Sequence, residues 1–271
     1  MTKDADGVAP ARPAATAVIL RDAPGGGIEV FMVVRHHEID FASGALVFPG
    51  GKVDEADADP AWEALAPLAS AAAPERAFVV AAARETFEEA GLVLARRRGS
   101  DALLDAGEAH RLVAAYRSRL ATGETSFLDL VRGEDLLLAT DLMVPFAHWI
   151  TPERVGKRFD THFLLVAAPV AQLGAHDGWE SVEGFWIAPR QAVRDAEAGT
   201  RTLVLPTHMN LLKLSRYASV ADAVAATAAS PVVTVMPRIE RTPEGRTLHI
   251  PAEAGYGVTA VPVPARPGRQ S

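Results

Sequence analysis

Residues 81–92, with the sequence AAARETFEEAGL, constrain the fold of this chain more than any other segment. They predict the last turns of a helix that ends at Gly91, because glycine is favoured where a helix terminates with a positive φ. With one residue every 100°, the carboxylates of Glu85, Glu88 and Glu89 share one face of this helix. The opposite face is apolar and is expected to pack on a core through Val80, Ala83, Phe87 and Ala90.

The three carboxylates require a neutralising partner. They repel one another, and no basic residue stands three or four positions after any of them. A hard divalent cation such as Mg²⁺ or Mn²⁺, which prefers oxygen ligands, would neutralise this face. A solvated acidic face is the alternative, and the helix alone does not decide between the two.

A second motif lies upstream, where residues 47–54, VFPGGKVD, form a β-type run with a Pro-Gly-Gly turn. Gly50 and Gly51 allow the backbone to approach a ligand or metal closely. Together the two motifs resemble the Nudix box, the signature of Nudix hydrolases, in which a glycine precedes Arg-Glu-U-x-Glu-Glu-x-Gly-U with U apolar. The matching residues are Gly51, Arg84, Glu85, Glu88, Glu89, Gly91 and Leu92, with Thr86 in an apolar slot.

The first half of the box departs from the family pattern. Thirteen residues normally separate the glycine from the arginine, whereas 32 lie between Gly51 and Arg84, so 19 are extra. Counted back from the arginine, the early glutamate falls at Arg76, with Glu75 one place off. An insertion of this length, at about residues 55–73, resembles the acyl-CoA diphosphatase branch of the family. We expect it to pack beside the mouth of the site and to shape specificity.

Composition and charge argue against several other classes of protein. The net charge is −7 with no basic block, so a nucleic-acid polymer is not expected as a partner. The absence of cysteine excludes a thiol nucleophile and a thiolate zinc site. No apolar run reaches 18 residues and the N-terminus has no signal-peptide pattern. A cytoplasmic protein without a membrane span is therefore expected.

The resemblance implies an α/β fold, the Nudix-type α/β/α sandwich with a mixed β-sheet. Residues 13–204 are expected to form the Nudix hydrolase domain, and residues 205–261 a helical C-terminal extension packed on the core. Residues 1–12 and 262–271 are predicted to be a flexible and a disordered tail. The extension would either cover the site or form a homodimer contact, and the sequence does not decide between these roles.

The resemblance also implies a metal-dependent hydrolase of nucleoside diphosphate derivatives. Glu85, Glu88 and Glu89 would hold Mg²⁺ or Mn²⁺, and clustered cations would neutralise the pyrophosphate as the leaving phosphate departs. Gly51 would lend its backbone carbonyl to the metal. Arg84 would orient Glu85 rather than contact the substrate.

Further site residues are expected outside the box helix. Glu180, in a loop six residues before Trp186, would add a carboxylate to the metal site, and Glu85 and Glu180 are both candidates for the general base. Arg35 would reach a substrate phosphate, with Gly50 and Arg158 as further substrate contacts.

CoA or an acyl-CoA is the first substrate hypothesis, and it rests on the resemblance rather than on a residue that reads CoA. A dinucleotide or nucleotide-sugar pyrophosphatase acting on compounds such as NADH or ADP-ribose is the alternative. A catalytically silent nucleotide-binding module should have damaged box carboxylates, and all three are present here. His148 and His162 are interpreted as ordinary polar residues beside strands, without a ligand role.

Overall fold

A computed structural model describes residues 9–34, 44–69, 74–153, 155–173, 184–242 and 245–264. Within these ranges an eight-stranded mixed sheet lies between two layers of helices, and a three-stranded and a two-stranded sheet complete the molecule. The predicted α/β/α sandwich is confirmed. None of the helices in the described part of the chain has the length and apolar character needed to cross a membrane.

The elements follow one another along the chain in this way. The strands are β1 (Arg12–Asp22), β2 (Ile28–Val34), β3 (Leu46–Val47), β4 (Gly50–Lys52), β5 (Ala95–Arg97), β6 (Leu136–Leu138), β7 (Val144–Ile150), β8 (Phe159–Ala167), β9 (Gly184–Ile187), β10 (Thr234–Val235), β11 (Arg238–Thr242), β12 (Gly245–His249) and β13 (Ala260–Pro264). The helices are α1 (Arg76–Glu85), α2 (Ala106–Ala121), α3 (Phe127–Gly133), α4 (Val170–Leu173), α5 (Pro189–Glu197), α6 (Leu205–Leu214) and α7 (Val220–Ala228). Short 3-10 turns lie at Glu55–Ala58, Pro60–Ala64, Thr140–Leu142 and Ala252–Ala254, and a π turn at Thr86–Ala90.

Strand β1 is the centre of the main sheet, whose order is β10-β7-β8-β1-β2-β3. The β1–β8 and β10–β7 pairs are parallel and the other pairs are antiparallel. The first half of β1 pairs with β4, which sets Ala15 opposite Gly51, and its second half pairs with β2. Residues 14–20 are a nearly continuous apolar run, as expected for a strand that is covered on both faces.

Alternate residues of β1 enter two different cores, because successive side chains of a strand point to opposite faces. Ala17 and Ile19 pack in the core that includes α1, α2 and α3. Val18 and Leu20 pack in the core that includes α5, α6 and α7. The second layer of the sandwich is therefore built largely by the C-terminal extension.

Helix α1 and the π turn after it have the predicted orientation. The apolar stripe is buried at all four positions: Val80, Ala83, Phe87 and Ala90. Gly91 ends the π turn with φ 64°. The π turn was not expected from the sequence; at its start the hydroxyl of Thr86 donates to the carbonyl of Ala82, over 2.8 Å. Such turns are frequent at functional sites.

The insertion differs from the expectation that residues 55–73 pack at the mouth of the site. Trp62 is buried, and its ring lies 5.8 Å from the ring of Phe127 in α3. The carbonyl of Leu65 accepts a hydrogen bond of 2.8 Å from the backbone N–H of Leu138 in β6. The part of the insertion around Trp62 and Leu65 thus belongs to the core beneath α3 and β6, because its apolar residues are covered there.

The ends of the fold also extend beyond the predicted boundaries. Strand β1 already includes Arg12, and β13 pairs Pro262 with Thr247 of β12. β13 is an edge strand, where proline is tolerated because one side of the strand needs no donor. The predicted tails at residues 1–12 and 262–271 were therefore drawn too wide.

Candidate active site

The C-terminal end of α1 and the Pro-Gly-Gly turn meet above the sheet. Helix α1 lies across β8, β1 and β4, so its last residues approach β4. The carboxylate of Glu85 occupies the space that a side chain at Gly51 would take, so a larger residue there would displace this carboxylate. The backbone N–H of Gly50 donates to Oε2 of Glu89 over 2.9 Å. The two halves of the sequence motif are therefore in direct contact.

Arg84 connects the carboxylates at this end of the helix. Its guanidinium binds Asp57 in a bidentate manner, with Nε 3.0 Å from Oδ1 and Nη2 2.9 Å from Oδ2. Nη1 donates to Oε1 of Glu85 over 2.8 Å and lies 3.4 Å from Oε2 of Glu88. Nη2 also donates to the carbonyl of Lys52 over 2.9 Å. Arg84 thus contacts Glu85, as the sequence predicts.

Glu88 has a basic partner that precedes it in the sequence, contrary to the expectation that the helix itself offers none. Arg84 stands four positions before Glu88, and the two side chains form an i, i+4 ion pair. Among the described residues, the Arg84 guanidinium faces four carboxylates, those of Asp54, Asp57, Glu85 and Glu88. Nε of Arg117 also reaches this end of the helix and donates to the backbone carbonyl of Glu88 over 2.6 Å.

Asp57 is the site residue that the sequence analysis missed. Counting back from Arg84 placed the early acidic residue at Arg76, but the Arg76 side chain donates instead to the carbonyl of Ala66. Counting forward from Gly51 by the box spacing leads to Asp57, which is buried against the Arg84 guanidinium. The extra 19 residues therefore follow Asp57, and forward counting would have found it.

Burial and crowding oppose ionisation of these glutamates. Burial raises the pKa of Glu85, against the opposing attraction of Arg84. Burial also raises the pKa of Glu88, to about 7, with Arg84 opposing and Glu85, Asp57 and Asp54 adding repulsion. Burial and repulsion among these carboxylates favour binding of a further cation.

Comparison with known proteins identifies the fold family. A family model described as the NUDT19 Nudix domain matches residues 66–214. The chain belongs to the Nudix family.

Relatives of this Nudix hydrolase include proteins of assigned activity. It is 26% identical to acyl-coenzyme A diphosphatase NUDT19 of Gallus gallus, over 78% of this chain and 70% of that protein. It is 27% identical to the protein of the same name from Homo sapiens, over 78% of this chain and 67% of that protein. A solved NUDIX hydrolase from Alicyclobacillus acidocaldarius is 26% identical, with a TM-score of 0.61, covering 82% of this chain and 99% of that chain. These likenesses support a Nudix pyrophosphatase.

Nudix hydrolases generally require a divalent metal, and the residues present fit one. Glu85, Glu88 and Glu89 offer carboxylate oxygens, the ligands preferred by Mg²⁺ and Mn²⁺. Within the described part of the chain, the carboxylates around Arg84 outnumber its guanidinium, which favours a cation beside Glu85. The ligand role of the Gly51 carbonyl stays a prediction.

The other predicted site residues of this Nudix hydrolase have different outcomes. Arg158 is buried, and its guanidinium donates to the carbonyls of Thr151, over 3.0 Å, and Ala9, over 2.8 Å. These bonds anchor the β7–β8 connection and the N-terminal segment. The substrate contact of Arg158 stays a prediction. Arg35 and Glu180 lie outside the described residues.

Proposed function

We propose that this Nudix hydrolase cleaves the pyrophosphate bond of CoA or an acyl-CoA with Mg²⁺ or Mn²⁺ held by Glu85, Glu88 and Glu89. The observation that supports metal binding is that, among the described residues, four carboxylates surround the guanidinium of Arg84. The choice of CoA rests on the name of the two relatives, acyl-coenzyme A diphosphatase.

In the reaction, water attacks one phosphorus of the pyrophosphate and the bridging P–O bond breaks. CoA would give 4′-phosphopantetheine and adenosine 3′,5′-bisphosphate, and an acyl-CoA would give the acylated phosphopantetheine. A bound divalent cation supplies the positive charge that stabilises the departing phosphate. Arg84 holds the Glu85 carboxylate in a fixed orientation through its 2.8 Å hydrogen bond.

The attacking water requires a base, and Glu85 and Glu180 are the candidates. Among the described residues, Glu85 combines a fixed orientation with a pKa raised by burial, which brings a carboxylate closer to the range of an effective base. Glu89 is tied to the glycine turn through the N–H of Gly50, which fixes the turn relative to the helix. This contact keeps the backbone of the turn next to the phosphate site.

The purified full chain, assayed with a panel of substrates, tests this proposal. CoA, an acyl-CoA, NADH and ADP-ribose are compared by kcat/KM with Mg²⁺, with Mn²⁺ and after treatment with EDTA. We expect the highest kcat/KM for the CoA compounds, loss of activity in EDTA and recovery on addition of either metal. Full turnover in metal-free buffer would rule out the metal mechanism, and a preference for NADH or ADP-ribose would favour the dinucleotide alternative.

A further inference from the structure

Two histidines and an aspartate come together on the α1 face of the sheet, away from the acidic end of the helix. His148 of β7 stands directly opposite His162 of β8 in the antiparallel register. Asp160 precedes His162 by two residues and so shares its face of the strand. One ligand atom from each side chain lies within 4.8 Å of the other two.

This cluster is separate from the carboxylate site. The registers of β7, β8, β1 and β4 place His148, His162, Ala15 and Gly51 in one row across four strands. His162 is two strands from Gly51, a separation of about 10 Å at the usual strand spacing. The ring of Phe78, in the first turn of α1, packs 4.4 Å from the ring of His162. The cluster therefore lies at the start of the helix whose other end has the glutamates.

The hydrogen bonds of the cluster prepare it for a cation that prefers nitrogen. Nδ1 of His148 bonds to the hydroxyl of Thr234 over 2.8 Å, and Nε2 lies 2.5 Å from Oδ1 of Asp160. Within the described part of the chain, His162 has no hydrogen-bond partner for either ring nitrogen. His162 thus has ring nitrogens that no described residue occupies, and a neutral imidazole nitrogen is a metal ligand.

We propose that His148, Asp160 and His162 bind a divalent transition ion of the Zn²⁺ class. Two imidazoles and one carboxylate are a ligand set that suits such an ion, whereas the oxygen-only glutamate site suits Mg²⁺ or Mn²⁺. Bonds of about 2.0–2.1 Å place tetrahedral ligand atoms about 3.3 Å apart. The rings of His148 and His162 are stacked, with centroids 4.0 Å and planes 14° apart, so one ring would have to turn for both imidazoles to reach the same ion. The ion would replace the hydrogen bond between His148 and Asp160. Asp160 is partly exposed, which leaves room for a water as fourth ligand.

The bound ion would link neighbouring strands of the main sheet. It would join β7 to β8, and Thr234 of β10, which orients His148, would become its outer partner. Because only the folded state brings the three ligands together, binding would raise the melting temperature. Hydrolysis at the glutamate site would continue to depend on Mg²⁺ or Mn²⁺.

Zinc binding by the full chain tests the proposal. The protein is stripped with a chelator, returned to excess Mg²⁺ so that the glutamates are occupied, and titrated with Zn²⁺. Bound zinc is measured by mass spectrometry after desalting, and Tm is measured by calorimetry. We expect about one Zn²⁺ per chain and a higher Tm for the wild type. The variants His162→Gln and Asp160→Asn should lose both effects.

His249→Gln is the matched control, since His249 also pairs with a carboxylate, that of Glu240, over 2.7 Å, but in the separate three-stranded sheet. It should bind zinc as the wild type does. Equal zinc binding by folded His162→Gln would overturn the proposal. If that variant does not fold, Co²⁺ binding to the wild type decides: visible absorption of a tetrahedral Co²⁺ site that Zn²⁺ displaces supports the cluster, and absence of that absorption overturns it.

Discussion

At the scale of the residue, the guanidinium of Arg84 joins carboxylates from two distant segments. Asp57 comes before the extra residues of the box, whereas Glu85 and Glu88 come after them. The bidentate contact with Asp57 fixes the plane of the guanidinium, and Nη1 is then directed at Glu85 and Glu88. Asp57 is thereby a positioning residue that acts on the glutamates through Arg84.

Replacement of Asp57 tests this chain of contacts. Asp57→Ala leaves a buried guanidinium without its main partner, so we expect a loss of about 3–5 kcal/mol in the free energy of unfolding. Because Glu85 also loses its fixed orientation, kcat should fall by about 10–100-fold. Glu55→Ala is the control, because Glu55 is exposed on the same 3-10 turn, and we expect a change within about 0.5 kcal/mol. Urea unfolding and steady-state kinetics measure both, and equal effects of the two substitutions would contradict the assignment.

Neutralising single glutamates separates their catalytic role from their effect on stability. Glu88→Gln and Glu89→Gln should each lower kcat by about 10²-fold or more, because a charged metal ligand is lost. In metal-free buffer the Tm of Glu88→Gln should hold or rise, since burial and neighbouring carboxylates disfavour the ionised side chain. A folded variant with a kcat near that of the wild type would show that the carboxylate is only a surface charge.

At the scale of the element, the insertion is a structural part of the first core. Its 3-10 turn directs Trp62 against α3, and the carbonyls of Leu65 and Pro67 accept hydrogen bonds from Leu138 and Thr140. Residues that the metal site does not require are thus used to hold the segment that contains α3 and β6. A simple shortening of this loop would remove core packing along with any contact to substrate.

Substitution of Trp62 distinguishes a structural insertion from one that sets specificity. Trp62→Ala should lower the free energy of unfolding by about 3–5 kcal/mol, as expected when a buried tryptophan is truncated. For the fraction that remains folded, kcat/KM for CoA and for ADP-ribose should change by the same factor. Glu63→Ala, exposed on the same turn, is the control and should leave stability unchanged within about 0.5 kcal/mol. A loss confined to CoA with unchanged stability would restore the specificity hypothesis.

Several elements could be predicted because their information is local. Helix α1 has an apolar stripe and a glycine end, and β1 and β2 are apolar runs separated by a glycine turn. Asp57 was not identified from the sequence because 26 residues lie between it and Arg84. The position expected for the early acidic residue of the box then depends on whether it is counted forward from Gly51 or back from Arg84. The pairing of His148 with His162 requires the register of β7 on β8, which no sequence pattern specified.

At the scale of the whole molecule, the C-terminal extension completes the sandwich. Strand β10 lengthens the main sheet beside β7, and α6 and α7 cover its second face. The hydroxyl of Tyr256 accepts a hydrogen bond from Nε1 of Trp149 and donates to Oδ1 of Asn210, each over 2.8 Å. This buried network connects three segments that are distant in the sequence.

Removal of the Tyr256 hydroxyl tests how much this connection contributes. Tyr256→Phe leaves the indole N–H of Trp149 and the side-chain carbonyl of Asn210 without their partner. We therefore expect the free energy of unfolding to fall by about 1–3 kcal/mol. Tyr217→Phe is a suitable control, because among the described residues the Tyr217 hydroxyl has no hydrogen-bond partner although its ring packs on the same core. Similar stability of the two variants in urea would show that the network contributes little.

The parallel pairing of β1 with β8 also affects when the main sheet can form during synthesis of the chain. Arg12 lies beside Phe159 and Leu20 beside Ala167, so the central strand finds its longest neighbour only after the intervening chain has been synthesised. Contacts between residues so distant in sequence slow folding. An apolar strand that is exposed until its neighbour has been synthesised is prone to aggregation. During synthesis, β2 and β4 are available to β1 early, but the edge of β1 that pairs with β8 has no partner until residues 159–167 have been made.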